Sequence, residues 1–334
     1  MKMKKFIAVF MISVLAVLTL VGCGTDDDST SGKTENNSES GAVLRIAAQP
    51  YPLYTPVYVA QELGYLQEEF EAVGATYEWQ EFKSGPLVNE AVAAGEADLG
   101  FMADLPAIIA KSTGQPIEIV SNIAYGEKGL AVLVKADSTV KSIADLKGKK
   151  IAYATGSYAQ HLLALLLSNE DLTLDDVQTI NLGASDQPAA LANGEVDAIV
   201  IWEQYISKLT SDGTAKVLAD GTGVKRGNMI TYVVSDYAKA NPDVIKAYIR
   251  ALNRADELLA SDPDKAAEAV AADFGVDTKL MRKIISNFTY STELTAEDIA
   301  EITKVKDFSL DAGIISKDVD INSFINTEYV KAAE

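Results

Sequence analysis

Short apolar runs and longer stretches with helical spacing alternate along most of the chain. The short runs have the length of buried strands, and the longer ones carry apolar residues three and four positions apart, as amphipathic helices do. Strands are predicted at residues 43–48, 76–82, 97–102, 117–122, 129–134, 151–154, 175–181, 196–201 and 229–234. Helices are predicted at residues 57–66, 84–94, 104–111, 187–193, 241–259, 263–274, 279–287 and 296–311, and one more follows Gly156. This alternation predicts an α/β fold.

The pattern of the first part of the chain recurs in the middle. Each segment has a strand, a turn with serine, a helix, a Gly-Glu-x-Asp turn and another strand, and the two turns begin at Gly95 and Gly194. The repeat is too long for a solenoid, so we predict two α/β lobes of related build. Beyond residue 234 the spacing is almost wholly helical.

Residues 151–167 join a predicted strand to the start of an apolar helix. Gly156 permits a tight turn between the two, and Thr155 or Ser157 can cap the helix. The first amide N–H groups of a helix have no partner inside it, and with the helix dipole they attract anions. We predict an anion-binding site at this junction, and an ordinary strand-to-helix turn is the alternative.

Polar and aromatic residues follow several of the predicted strands. In open α/β sheets, ligands bind beyond the carboxyl ends of the strands. The residues at these ends are Gln49, Pro50 and Tyr51, then Ser84 and Gly85, then Met102 and Asp104, then Thr155, Gly156 and Ser157, and finally Trp202 and Glu203. Because they come from both lobes, we expect a ligand cleft between the lobes. Ser84 is also the predicted N-cap of the helix at residues 84–94.

The N-terminal residues have the form of an export signal. A basic start precedes an apolar run at residues 6–21, which is shorter than the roughly 20 residues of a membrane-spanning helix. An uncleaved anchor is the alternative. The stretch Leu20-Val21-Gly22-Cys23 resembles the bacterial lipobox. We therefore expect a signal peptide at residues 1–22, lipid attachment at Cys23, the only cysteine, and a polar tether through residue 42.

The net charge excludes some partners. The chain has 29 basic and 48 acidic residues and a net charge of −19. Such a surface repels nucleic acid, so no nucleic-acid partner is expected, and local hydrogen bonds have to hold any anionic ligand. His161 is the sole histidine, and one histidine forms neither a metal cluster nor a catalytic triad. We expect it to have a structural or surface role.

Several motifs together resemble those of the substrate-binding proteins of ABC importers for nitrate, sulfonate, taurine and thiamine precursors. The matching stretches are Ser84-Gly85-Pro86, AVAAGEAD at residues 91–98, SIADLKGKK at residues 142–150, Thr155-Gly156-Ser157, NGEVDA at residues 193–198 and IWEQY at residues 201–205. The resemblance implies a two-lobed, type II periplasmic-binding-protein fold that closes on its ligand by hinge motion. It places crossovers near residues 134–137 and 233–236. The first lobe then takes residues 43–134, the second takes residues 135–233, and residues 234–334 return to the first.

The resemblance also implies a function. The protein is expected to be a monomeric, non-enzymatic lipoprotein on the outer face of the cell membrane, which is the periplasm in a Gram-negative host. It would deliver a small organic anion to a permease and its ATPase, without a cofactor or metal. An aliphatic sulfonate is the first expectation. Nitrate, an aromatic carboxylate and a thiamine pyrimidine precursor are alternatives, and an enzyme or a sensor module on this fold is more remote.

Individual roles follow from position and residue type. The helix start at residues 155–160 would donate N–H groups, Gln49 and Ser84 would add hydrogen bonds, and Trp202 would pack on the organic part of the ligand. Family members often have Gly-Ser-Ser-Ala-His at this helix start, and the chain has Tyr158 and Gln160 in place of a small hydroxyl residue and the histidine. An altered pocket is therefore predicted.

Other candidates have two interpretations each. The aromatic residues that could line an apolar pocket or belong to the core are Tyr51, Tyr54, Tyr125, Tyr158 and Trp202. Asp104 and Glu203 could bind a ligand amine, and Asp104 could instead cap a helix. Arg226 lies in a glycine-rich loop, where it could pair with an anion or be a solvated charge.

Overall fold

The computed structural model describes residues 41–333, so the predicted export signal, Cys23 and most of the tether lie outside the described residues. The strands are β1 (Val43–Ala48), β2 (Thr76–Glu81), β3 (Leu99–Ala103), β4 (Ile117–Tyr125), β5 (Leu130–Lys135), β6 (Lys150–Tyr153), β7 (Gln178–Asn181), β8 (Ala198–Trp202), β9 (Ala215–Asp220), β10 (Met229–Val234) and β11 (Thr289–Tyr290). The helices are α1 (Thr55–Glu62), α2 (Tyr65–Glu71), α3 (Gly85–Ala93), α4 (Asp104–Ser112), α5 (Tyr158–Ser168), α6 (Gln187–Asn193), α7 (Tyr205–Ser211), α8 (Ser235–Ala240), α9 (Pro242–Ser261), α10 (Pro263–Val270), α11 (Thr278–Ile285), α12 (Ala296–Asp311), α13 (Ile321–Phe324) and α14 (Glu328–Lys331). None of these helices is long and apolar enough to cross a membrane.

The strands form two separate sheets, which confirms the predicted pair of lobes. The first sheet has the order β11-β4-β10-β3-β1-β2 and the second has the order β7-β6-β8-β5-β9. In the first sheet β1 is parallel to β2 and β3, and β10 lies antiparallel between β3 and β4. In the second, β6 is parallel to β7 and β8, and β5 is antiparallel to β8 and β9. We call the two sheets with their helices the first and second lobes.

The chain passes between the lobes one strand earlier than predicted. β5 pairs with β8 and β9 in the second lobe, and β10 pairs with β3 and β4 in the first. The crossovers therefore lie at residues 126–129 and 221–228, not near residues 134–137 and 233–236. Both strands have the burial pattern of a fully buried strand with a partly exposed last residue. That pattern does not reveal which sheet a strand joins, so the sequence placed both strands in the wrong lobe.

The two crossovers are hydrogen-bonded to each other. The amide of Gly126 donates to the carbonyl of Arg226 at 3.1 Å, and the amide of Gly221 donates to the carbonyl of Glu127 at 2.9 Å. A β-carbon on Gly221 would lie 2.5 Å from the Glu127 oxygen and 2.9 Å from the Lys225 oxygen. Glycine is needed at residue 221 because two backbone segments approach it closely.

Gly221→Ala is expected to lower the free energy of unfolding by about 2 kcal/mol, because the methyl group meets backbone oxygens that cannot move aside cheaply. The matched control is Gly183→Ala, where the added carbon would have its nearest contact at 3.7 Å, from an Asp186 carboxylate oxygen. Urea denaturation of both variants measures the difference. Equal stabilities for the two would show that the crossovers do not constrain each other.

The Gly-Glu-x-Asp repeat has the same structural role in both lobes. The Asp98 carboxylate accepts the backbone N–H of Arg45 in β1 at 3.1 Å, and the Asp197 carboxylate accepts the backbone N–H of Lys150 in β6 at 2.9 Å. Asp98 also forms hydrogen bonds to the Arg45 guanidinium at 2.8 and 2.5 Å. Each aspartate therefore fixes the strand that follows the turn against its parallel neighbour in the sheet, β3 against β1 and β8 against β6.

Two local predictions were incomplete. The helix predicted at residues 57–66 is divided into α1 and α2 at Gly64, which has a φ of 75°. The pair α7 and β9 was not predicted. β9 is partly exposed along most of its length and has no regular alternation of buried and exposed residues, so it lacks the pattern by which strands are predicted.

Candidate functional site

A cavity lies between the two lobes at the carboxyl ends of β1, β3 and β8 and the start of α5. It is narrow, since only about 20 Å³ of it admits the centre of a water-sized sphere, well below the roughly 300–1,000 Å³ of ligand pockets. Seven predicted residues line it, Gln49, Tyr51, Tyr54, Gly85, Ser157, Tyr158 and Trp202, together with Leu53, Ala103 and Pro106. No charged side chain is among these described lining residues. The predicted residues that do not line it are Pro50, Ser84, Met102, Asp104, Tyr125, Thr155, Gly156, Gln160, Glu203 and Arg226.

Aromatic rings from both lobes meet in the cavity. The ring of Tyr51 lies edge to face with that of Trp202 at a centroid distance of 5.5 Å, and Tyr158 lies 6.1 Å from Trp202. Both tyrosine hydroxyls donate to backbone carbonyls, that of Tyr51 to Lys83 at 2.8 Å and that of Tyr158 to Gly129 at 3.2 Å. These bonds fix the rings, so the cavity has a preformed apolar wall.

One polar group of the lining residues, the indole N–H of Trp202, has no hydrogen-bond partner among the described residues. Trp202 is 4% exposed, and its Nε1 atom is buried without a hydrogen-bond partner among residues 41–333. Leaving a buried donor unpaired costs about 1–3 kcal/mol. An acceptor atom of a bound ligand would remove that cost.

Two of the amides at the start of α5 that were predicted to be free are hydrogen-bonded. Ser157 is the N-cap residue, as predicted, and its hydroxyl accepts the N–H of Ala159 at 3.3 Å. The amide of Gly156 donates to the Gln160 carboxamide oxygen at 2.9 Å, and the amide of Thr155 donates to the side-chain oxygen of Asn181 at 3.0 Å. The prediction of free donors at residues 155 and 156 is therefore wrong, because the side-chain oxygens of Asn181 and Gln160 accept these two N–H groups.

On the opposite side, the first lobe supplies Gln49. Its side-chain nitrogen donates to the carbonyl of Phe101 at 2.7 Å, which fixes the carboxamide in the cavity wall. Ser84 is at the N-cap position of α3, but its side chain makes no capping hydrogen bond. The residue two positions on is Pro86, which has no N–H to donate, so one of the two usual partners of a capping hydroxyl is missing.

Asp104 faces away from the cavity and belongs to a buried cluster. Both of its carboxylate oxygens accept from the Lys225 ammonium, at 2.9 and 2.8 Å, and one also accepts the N–H of Leu105 at 2.7 Å. Lys225 also contacts Nδ1 of His161 at 2.9 Å. Because its carboxylate is already paired, Asp104 is not placed to bind a ligand amine. His161 is buried at 3% exposure, which fits the predicted structural role.

Glu203 is also occupied by protein groups. Its carboxylate accepts from the backbone and hydroxyl of Ser207 at 3.0 and 2.9 Å, and from the Asn287 side chain at 3.1 Å. Burial raises the pKa of Glu203, while these hydrogen bonds act to lower it. Since Asn287 follows α11 of the first lobe, this contact joins the two lobes.

Arg226 is paired within the protein. Its guanidinium lies 3.6 Å from the centre of the Tyr125 ring and forms ion pairs with Glu297 at 3.0 Å and Asp298 at 3.1 Å. The predicted anion contact is therefore not available at this residue. Its neighbour Lys225 was missed, since nothing in a glycine-rich loop indicates which of two adjacent cations is buried.

Two α/β lobes, two crossovers and a cavity between the lobes define a ligand-binding protein of the periplasmic-binding-protein fold, as predicted. The chain belongs to the family described as NMT1/THI5 like, whose model matches residues 51–266.

Similar proteins cover most of the chain. A protein of Bacillus subtilis (strain 168) assigned to aliphatic sulfonate binding is 28% identical over 97% of the chain and 96% of its own length. One of Escherichia coli (strain K12) with the same assignment is 30% identical over 74% of the chain and 78% of its own length. The structure of the alkanesulfonate-binding protein of Xanthomonas axonopodis pv. citri bound to MOPS superimposes with a TM-score of 0.78. It is 28% identical, and the alignment covers 86% of this chain and 99% of that one.

Proposed function

We propose that the protein is an extracytoplasmic solute-binding protein that captures a small organic anion, an aliphatic sulfonate in the first instance, and delivers it unchanged to the permease of an ABC importer. The observation that carries this proposal is the unpaired, buried N–H of Trp202 in an aromatic cavity without charged lining residues. The names of the Bacillus, Escherichia and Xanthomonas proteins support the sulfonate.

The cavity has complementary parts for such a ligand. A sulfonate has several acceptor oxygens, and the Trp202 N–H can donate to one of them, whereas the Ser157 hydroxyl already donates to the Ala154 carbonyl at 2.6 Å. The apolar tail would lie against the rings of Tyr51 and Tyr158. A lipid on Cys23 would keep the protein at the membrane beside its permease and ATPase.

The same geometry ranks the alternatives. Taurine carries an ammonium group, and the two acidic residues near the cavity, Asp104 and Glu203, are already hydrogen-bonded to protein groups. We therefore expect an alkanesulfonate to bind more tightly than taurine. Nitrate is too small to use the aromatic wall, whereas an aromatic carboxylate and a thiamine pyrimidine could each use the rings.

Titration calorimetry of the protein with pentanesulfonate, taurine, nitrate, benzoate and a thiamine pyrimidine tests the proposal. Pentanesulfonate should bind most tightly and be recovered unchanged. Tight binding of the pyrimidine alone would overturn the sulfonate assignment, and turnover of any of these compounds would overturn the role as a binding protein.

Trp202→Phe is expected to weaken pentanesulfonate binding roughly tenfold, because it removes one hydrogen bond worth about 1.5 kcal/mol and keeps an aromatic ring. The matched control is Trp79→Phe. Trp79 packs on Tyr58 at 5.3 Å and does not line the cavity. An undiminished affinity in the Trp202 variant would exclude its N–H as a ligand donor.

A further inference from the structure

A buried three-residue cluster joins the lobes behind the cavity. The Lys225 ammonium has three hydrogen-bonded atoms around it, both carboxylate oxygens of Asp104 and Nδ1 of His161, at 2.9, 2.8 and 2.9 Å. An ammonium group has three N–H bonds, so all of them are used. Lys225, Asp104 and His161 are 4%, 1% and 3% exposed. The cluster is therefore fully paired at the lysine and almost wholly buried, beside a cavity that its three residues help to line.

The three residues come from three parts of the fold. Asp104 begins α4 of the first lobe, Lys225 lies in the second crossover, and His161 lies in α5 of the second lobe. The amide of Asp104 donates to the carbonyl of Asn228 at 3.2 Å, which ties the start of α4 to the end of that crossover. The Lys225–His161 hydrogen bond reaches the second lobe, as does the contact of the Lys225 ammonium with the Tyr158 ring at 5.9 Å.

This hydrogen bond requires a neutral imidazole. An ammonium group donates and has no lone pair, so Nδ1 of His161 has to accept, and the ring proton is then on Nε2. An imidazolium has a proton on both nitrogens and cannot make this bond. Burial and the adjacent charge of Lys225 both lower the pKa of His161 well below its ordinary value.

Among residues 41–333, no compensating acid contacts the ring. Nε2 of His161 is buried without a partner among the described residues, and the ring packs on Phe308 of α12 at 4.9 Å. Beside Asp104 and Lys225, the charged residues around the adjoining cavity are Arg226, Glu301 and Lys304. Arg226 is paired with Glu297 and Asp298, and Glu301 with Lys304. The residues of α5 other than His161 carry no charge.

We propose that the Lys225–His161 hydrogen bond is a proton-sensitive latch, which holds the lobes together at neutral pH and releases them, with the ligand, on acidification. The inference rests on the proposed function only in that the lobes open and close around a ligand. When they separate, water reaches His161 and a solvent proton can bind Nδ1. The closed form cannot take up that proton without losing the hydrogen bond.

The direction of the pH effect follows from this difference. The open form binds a proton as the pH falls through the ordinary histidine pKa of about 6.5, and the closed form does not. Acidification therefore favours the open form. Between pH 7.5 and pH 5.5 the ratio of closed to open protein is expected to fall about tenfold. Glu203 acts in the opposite direction, since burial raises its pKa in the closed form.

The test compares the wild type with His161→Gln. The glutamine oxygen can accept from Lys225 but does not titrate in this range, and Glu203 is present in both proteins. Small-angle scattering and tryptophan fluorescence of the ligand-free proteins are recorded at pH 7.5 and pH 5.5, with circular dichroism as a control for folding. The wild type should expand and its fluorescence should change at pH 5.5, whereas the variant should stay closed at both values.

A parallel titration with pentanesulfonate should show about tenfold weaker binding by the wild type at pH 5.5 and no change for His161→Gln. An equal pH response of the two proteins, or none in the wild type, would overturn the latch. If pentanesulfonate binds neither protein at any pH, the sulfonate proposal fails, and the scattering experiment still decides whether the latch exists.

Discussion

Lys225→Met is expected to lower the free energy of unfolding by about 3–5 kcal/mol, because it leaves the buried Asp104 carboxylate without a cation. Methionine retains most of the aliphatic length of lysine, so the change removes chiefly the ammonium group and its hydrogen bonds to Asp104 and His161. Urea denaturation at pH 7.5, extrapolated to zero denaturant, measures the effect.

Two further variants show whether the pairing causes the loss. Lys147→Met removes an exposed cation that lies 3.3 Å from Asp176, with a side chain 66% exposed, and should cost less than about 1 kcal/mol. Combining Lys225→Met with Asp104→Asn removes both charges and should recover part of the stability. If the double variant were as unstable as the sum of the single variants, the ion pair would not be the source of the effect.

The second large effect is expected at Asp298, where Asp298→Asn should cost about 2–4 kcal/mol. The Asp298 carboxylate is 1% exposed and accepts from Arg226 at 3.1 Å and from Asn228 at 2.8 Å, both at the second crossover. It also accepts the N–H of Thr295 at 3.0 Å in the capping box of α12. In asparagine an NH2 group replaces one carboxylate oxygen, so a donor would face the donor groups that Asp298 now accepts from.

Glu297 is a matched control because it is adjacent and pairs with the same arginine. Its side chain is 69% exposed and lies 3.0 Å from Arg226. Glu297→Gln should change the free energy of unfolding by less than about 1 kcal/mol, since exposed ion pairs contribute little. Chemical denaturation of both variants gives the comparison, and similar losses would contradict the anchoring role assigned to Asp298.

The sequence predicted local structure well where an apolar run, or a proline and a glycine at the two ends, marks the element. β10 and α6 have the predicted bounds, since a run of buried apolar residues marks the first and a proline and a glycine mark the ends of the second. The Gly-Glu-x-Asp turns predicted related lobes, and the structure shows why they recur. Which sheet β5 and β10 join depends on pairing with strands far away in sequence, and no local pattern records it.

The site residues were predicted where their position in the chain identifies them, and their roles were missed where a distant residue decides them. Tyr51, Ser157 and Trp202 lie at strand and helix ends, and the rule that ligands bind there places them in the cavity. The occupied state of Asp104 could not be predicted, because its partner Lys225 lies 121 residues away. The contact of Gln160 with the Gly156 amide depends on a side-chain rotamer, which spacing along the helix does not determine.

The position of β10 has a consequence for the order in which the protein folds. This strand lies in the middle of the first sheet, between β3 and β4, and most of the second lobe separates it from them in sequence. A ribosome therefore releases all strands of the second sheet, β5 to β9, before it supplies the strand that joins β3 to β4 in the first. The second lobe can collapse as a contiguous unit during synthesis, whereas the first must wait for closure of a long loop, which slows folding. Until then, the facing edges of β3 and β4 lack their central partner and are exposed to chaperones and to aggregation.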